Sequence, residues 1–302
     1  MNAEIVKDVG GAVALDTPQQ GRPSSATVTI YNPDGTTLVA SGSATIDTCN
    51  TTTTATVAAG VTAVAVSSAT GIEVGRHYVI SGADGRSEWV RVMALSGTDV
   101  TLAEDLAHGY ASGAAFVGTR ISKAISAANA ATLDEGYSAA WVYTTDGTQY
   151  RVNTFFDVVR SKWADVIITP HDFRVRAGDM ALPEFEADNA IGLDFADDIK
   201  HATELVRQEV GSRGFRPALF LSPGETFKEA ISQRVLLTFA ERGQSVPAPW
   251  QDDVLGWMEL RREIYEQALN SALNNANFDT NEDAVVTDTE RKQRLGSVRI
   301  VL

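Results

Sequence analysis

Hydrophobic and polar positions change rhythm near residue 160. Before that point the apolar residues alternate with polar ones in short runs, which is the period-two signature of strands with one buried face. Thr27-Val28-Thr29-Ile30 leads into Asn32-Pro33-Asp34-Gly35, and Thr37-Leu38-Val39-Ala40 leaves it. Proline presets φ for a turn and glycine accepts positive φ, so this reads as a hairpin with a mechanism. Ala83-Asp84-Gly85-Arg86 repeats the device between His77–Ile80 and Glu88–Val92, where Glu88, Val90 and Val92 share one face and Trp89 and Arg91 the other. Ser96-Gly97-Thr98 precedes Val100–Leu102, and Thr145-Asp146-Gly147-Thr148 joins Ala140–Tyr143 to Gln149–Val152. Four turn signals between short runs predict an antiparallel β-sandwich or small barrel over residues 1–160.

After residue 165 the apolar positions recur every three or four residues, the helical period. Phe195, Ile199, Ala202, Val206 and Val210 predict a helix that stops at Gly211. Ser222-Pro223-Gly224-Glu225 has the composition of a capping box with proline at the first helical position, and Phe227, Ile231, Val235 and Phe239 continue it to Arg242-Gly243. A third, longer helix is expected from Trp250 to about Ala276. One of its sides carries Val254, Met258, Tyr265, Leu269 and Leu273, and another carries Trp257, Leu260, Ile264 and Ala268. Two stripes exceed what one small bundle needs, and either a neighbouring subunit or a core rim of Trp and Tyr would account for the surplus. Ser297–Leu302 alternates weakly and reads as a terminal strand that adds to a partner. The expectation is an α+β chain of two domains: residues 1–160, β-rich, and residues 165–302, a helical bundle with a C-terminal strand tail.

The length of 302 residues suits two domains, and 44% hydrophobic content gives them cores to bury. The net charge is −14, shared by both parts, with 15 acids against 9 bases in residues 1–160 and 24 against 16 thereafter. Such a surface repels phosphates, which disfavours specific nucleic-acid binding and anionic membranes but suits a conduit through which DNA slides without sticking. The single cysteine, Cys49, allows no internal disulfide and no cysteine-rich zinc site. No apolar run approaches a membrane span, and the N-terminus lacks the basic-then-apolar order of a secretory signal. The chain is therefore expected in a cytosol or in a particle assembled there.

Candidate chemistry is sparse. His77, His108, His171 and His201 stand apart from any metal or nucleophile motif, and no phosphate loop occurs. Pro170-His171-Asp172 pairs an imidazole with a carboxylate in sequence, within what reads as an exposed turn. Glu184, Glu186, Asp188, Asp194, Asp197 and Asp198 form an acidic run, either a solvated face or the lining of a channel. From Asp279 the oxygen donors Asp279, Asn281, Asp283 and Glu290 fall at positions 1, 3, 5 and 12 of a calcium-type loop. Ala284 stands where glycine makes the sharp turn in such loops, at a cost of about 1 kcal/mol in a left-handed conformation. Read as an acidic turn instead, the segment simply ends the long helix. No cofactor is required, and an assembly component rather than an enzyme is expected.

Two resemblances sharpen this. Gly71–Gly75, a strand, a turn and a strand, then Ser96–Leu102 and His108–Gly113 resemble small β modules of tailed-phage virion proteins. Ser222-Pro223-Gly224-Glu225 with its helix, the long helix to Ala276, Asn277–Val286 and a short terminal strand are similar to the head–tail adaptor (connector) proteins of tailed phages, over about residues 165–302. The resemblance implies a structural virion protein assembled in the host cytoplasm. It would form a homo-oligomeric ring of about twelve copies in the head–tail neck, between the portal protein and a tail or stopper protein. DNA would pass through the lumen without specific binding. The alternative is a receptor- or carbohydrate-binding virion protein of a baseplate or fibre, which exposed aromatic residues such as Trp89, Tyr110, Trp141 and Tyr143 clustering on one sheet face would favour.

Overall fold

A computed structural model describes residues 3–163, 168, 169, 172, 176, 191–242, 250 and 252–278, with residues 191–196 and 278 as backbone only. The fold is α+β, β-rich at the N-terminal side and helical at the C-terminal side. Its two compact units are interleaved in sequence. One comprises Met1–Gly10, Ala130–Glu135 and Asp157–Leu302; the other comprises Gly11–Asn129 and Gly136–Phe156. The sequence pattern placed a single boundary at 160–165, whereas residues 1–10 and 130–135 belong with the helices.

The strands in chain order are β1 (Ala3–Val6), β2 (Gly11–Asp16), β3 (Ser25–Tyr31), β4 (Thr37–Ser43), β5 (Thr45–Ile46), β6 (Asn50–Thr52) and β7 (Ala63–Ala65). They continue with β8 (His77–Ser81), β9 (Ser87–Ser96), β10 (Asp99–Leu102), β11 (Ala115–Val117), β12 (Arg120–Ile125), β13 (Asp134–Thr145) and β14 (Thr148–Val159). One sheet has the order β1-β14-β13-β3-β4, a second β6-β11-β8-β9-β10-β7, and a third β2-β12-β5.

Alternation in the sequence becomes alternation in burial. Along β13 the buried residues are Tyr137, Ala139, Trp141, Tyr143 and Thr145, every second position. Against it β3 sets Val28 opposite Trp141 and Ala26 opposite Tyr143. Both central residues of the β13–β14 turn, Asp146 and Gly147, have positive φ (50° and 76°), the two-residue turn whose twist suits a hairpin.

The six-stranded sheet closes on itself. Its edge strands β6 and β7 are joined by an antiparallel bridge between Thr53 and Val66, and Thr54 N–H donates to Ala65 O at 2.9 Å. Closure removes both edges of a sheet whose strands are only 3–10 residues long. Tyr78, Ile80, Val92, Val100 and Phe116 fill the interior.

In the helical unit, α1 (Ile191–Ser212), α2 (Lys228–Glu241) and α3 (Val254–Asn275) enclose one core, with α2 packed on both of the others. At 22 residues α3 is about 33 Å long. Short strands β15 (Phe220–Leu221) and β16 (Asn277–Phe278) pair and join the entry of α2 to the end of α3. The helix α1 ends at Ser212, and the glycine that stops it is Gly214 rather than Gly211: Gly214 has φ 87°, Phe215 N–H reaches Val210 O, and Gly214 N–H reaches Gly211 O. These two bonds make a Schellman stop.

The expected capping box at Ser222 does not form. Ser222 is itself left-handed (φ 50°, ψ 51°) and makes no side-chain cap, so Pro223–Thr226 is a single turn and a separate α2 begins after Phe227. Here the buried Phe227, Phe220 and Trp163 rings set the path of the chain, and local capping chemistry yields to that packing. Trp257, Tyr265, Leu269 and Ala272 of α3 are buried, with Met258, Ala268 and Leu273 packed at their margin. The two expected stripes therefore merge into one broad face on the unit's own core, leaving Leu255 (74% exposed) and Leu260 (40%) outside it.

Candidate functional site

The loop carrying Asp279, Asn281, Asp283 and Glu290 lies outside the described residues, as do Glu184, Glu186 and Asp188, the side chain of Asp194, and the tail Ser297–Leu302. Of the acidic run, Asp197 is exposed and Asp198 accepts a hydrogen bond from Arg242 at 3.1 Å. His77, His108 and His201 are exposed, and His171 lies outside the described residues. The Asp172 carboxylate accepts from Thr169 N–H and Thr169 Oγ1, both at 2.8 Å, while the Asp172 N–H donates to Thr169 Oγ1. This reciprocal box, missing at Ser222, forms here. Those bonds, with Arg176 and Lys228 nearby, hold the Asp172 carboxyl well below the usual carboxylate range. Among the described residues no group of three His, Cys, Asp or Glu side chains is placed to hold a metal ion.

The exposed aromatic cluster that would favour the receptor-binding alternative does not form at these positions. Tyr110, Trp141 and Tyr143 are core residues at 1–2% exposure, and Trp89 is half-buried. Trp141 uses its indole N–H on Thr154, and Tyr143 donates its hydroxyl to Gln19.

Two buried ionic clusters come together that local sequence does not announce. In the helical unit, Arg207 of α1 lies between Glu4 of β1 and Asp157 of β14; its Nη1 is 3.2 Å from Glu4 Oε1, and Nη2 donates to Asp157. The three side chains are 7, 2 and 3% exposed. Glu4 also accepts Trp163 N–H at 2.8 Å. The partners are separated by 50 to more than 200 positions in the chain, so no spacing rule could have found them.

In the β unit, the buried Asp47 carboxylate accepts from Arg76 and from Cys49 N–H, while Arg22 donates to Asp47 O at 2.9 Å. Gly118 makes room for that carboxylate, because a Cβ there would lie 2.2 Å from Asp47 Cγ. Burial, with the Asp47 charge beside it, pushes the Cys49 thiol up to about 12. A thiol protonated at neutral pH is a poor nucleophile. Both clusters are buried carboxylate–guanidinium units in which each charge lies against an opposite one, the arrangement of a structural tie.

On the helical unit's surface, Tyr265 donates to Glu209 at 2.6 Å, and Arg213 bridges Glu209 and Glu266. Burial alone would raise the Glu209 carboxyl, but the Tyr265 bond and the Arg213 charge outweigh it and hold it low. This network pins α1 to α3 and leaves Asp252, Asp253, Glu259 and Glu263 at the surface of α3. The surface features among the described residues are an acidic helical face, the exposed Leu255 and Leu260, and open strand edges in the β unit. No protein-family model matches this chain, and no curated protein matches it.

Proposed function

We propose that this chain is a structural virion protein of a tailed phage, forming a homo-oligomeric ring in the head–tail neck between the portal and a tail or stopper protein. The observation that carries the reading is the order of elements in the helical unit. A 22-residue helix, a proline-led turn, a 14-residue helix, a second 22-residue helix and a returning strand follow one another. The helix after Ser222–Glu225 and the long helix that follows are two of the parts by which residues 165–302 resemble head–tail adaptors; most of Asn277–Val286 and the C-terminal strand lie outside the described residues. The net charge of −14 agrees with a bore through which DNA passes without being held, since no row of lysine or arginine is needed to grip phosphate. On this reading the chain is not an enzyme, and the β unit decorates the ring.

The test is a measurement of mass by light scattering, alone and after mixing with the portal protein, followed by a reconstruction of the particle. A ring of about twelve copies around the DNA path is the expected result. Density for this chain only on the outer capsid or at fibre tips would overturn the neck assignment in favour of a receptor-binding role.

A further inference from the structure

Most sheet edges in the β unit carry a device against further pairing. The barrel edges β6 and β7 are joined to each other. Edge strand β4 pairs β3 with two register irregularities, and edge strand β5 has only two residues. Strand β2 is different. Its six residues Gly11-Ala12-Val13-Ala14-Leu15-Asp16 pair β12 in unbroken register, carry no proline or lysine, and are uncharged over the first five positions. Among the described residues β2 pairs only with β12.

The direction of its open groups follows from the ladder. Thr17 N–H donates to Thr119 O, in the register that sets Asp16 opposite Arg120, so the N–H groups of Leu15 and Val13 also turn toward β12. Those of Ala12, Ala14 and Asp16 therefore face the open side, where all three residues are exposed. A flat edge of this kind is a template for one more strand.

We propose that the open edge of β2 takes the C-terminal segment Ser297–Leu302 of a second copy of this chain. The assignment to a second copy rests on the ring reading. The segment has six residues, as β2 does, and its Val298, Ile300 and Leu302 alternate with Ser297, Arg299 and Val301. Added to β2, the three aliphatic side chains extend the face of the buried Val13 and half-buried Leu15, while Arg299 falls on the side of Asp16. Residues 279–296, 18 in number, separate it from β16 and span up to ~60 Å when extended, enough to reach a neighbour. Successive copies joined this way make a heterologous, head-to-tail contact, the kind that closes into a ring.

The test uses the full chain, a chain ending at Leu295, and a peptide of residues 296–302. The peptide should bind the truncated chain and slow hydrogen exchange at the amides of Ala12, Ala14 and Asp16 by at least tenfold. Ala14→Pro removes one outward N–H without touching the β12 ladder, so it should weaken peptide binding at least tenfold, whereas Ala14→Ser should bind as the parent does. Ala12→Pro serves as a second edge variant if Ala14→Pro melts early. Truncation and Ala14→Pro should each shift the full chain from oligomer toward monomer in light scattering. Failure of the peptide to bind, or equal binding by the proline variants, overturns the proposal. So does a full-length chain that stays monomeric at every concentration while the peptide still binds at β2, since the segment then pairs within its own copy. In that case the neck assignment still stands or falls by its own particle reconstruction.

Discussion

Replacing Arg207 by methionine removes the cation that pairs with both Glu4 and Asp157 while keeping most of the side-chain volume. At a separation near 3 Å and an effective dielectric of ~20, each pairing is roughly 5 kcal/mol in gross Coulomb terms, most of it offset by the desolvation of the ions. Removing only the cation abolishes the attraction and leaves the desolvation uncompensated on two carboxylates, 2 and 3% exposed. The expected loss is about 3–5 kcal/mol, a fifth or more of the ~5–15 kcal/mol of a typical domain. Urea denaturation of the full chain, followed by circular dichroism at 222 nm, reads it directly, because α1, α2 and α3 all lie in the unit that holds the cluster. The triple variant Arg207→Met, Glu4→Gln, Asp157→Asn should recover to within about 1–2 kcal/mol of the parent, since it buries no lone charge. A loss below 1 kcal/mol in the single variant, or a triple variant no better than the single one, would refute the reasoning.

Gly118→Ala should destabilise the β unit by roughly 2–4 kcal/mol, because the new Cβ meets a carboxylate that Arg76 and Cys49 N–H hold in place; a melting temperature within 1–2 °C of the parent would contradict this. Asp172 holds its proton less readily in the folded chain than in the unfolded one, so its stabilisation is full above the ordinary carboxylate range and fades as pH falls through it. The gap in melting temperature between the parent and Asp172→Ala should accordingly shrink between pH 5 and pH 2, and a gap that widens would show the sign to be wrong. Calcium binding at Asp279, Asn281, Asp283 and Glu290 should be weak, with Kd no tighter than ~10⁻⁵ M, and Ala284→Gly should tighten it in calorimetry. If neither protein binds calcium, the segment is only a turn.

What the sequence made legible is local. The turns at Asn32–Gly35, Ala83–Arg86 and Asp146-Gly147 are where the spacing placed them, because Asp-Gly and Pro carry their own backbone preference. Val90 and Val92 share a buried face as their alternation required. The helices also fall where the period placed them, since burying one apolar stripe needs only a repeat. The misses have a common cause. β1 and β2 are short runs without turn signals, paired with β14 and β12 more than a hundred residues away. The Thr53–Val66 bridge that closes the barrel and the Glu4–Arg207 pair are likewise long-range geometry, invisible to any window. At Ser222 the local signal was present, and aromatic packing overrode it.

The distance along the chain between Glu4 and Arg207 sets a timetable for synthesis. The residues lie 203 positions apart (207 − 4), and β1 finds its partner β14 only near the midpoint of translation. At ~5–20 residues per second, about ten to forty seconds separate the appearance of the carboxylate from that of its cation. The β unit, apart from its last hairpin, is complete in the nascent chain well before the helical unit has the parts it needs. The first ten residues must therefore be held in reserve while a whole barrel folds behind them. A bulky N-terminal fusion should then slow maturation of the helical unit while leaving the barrel untouched.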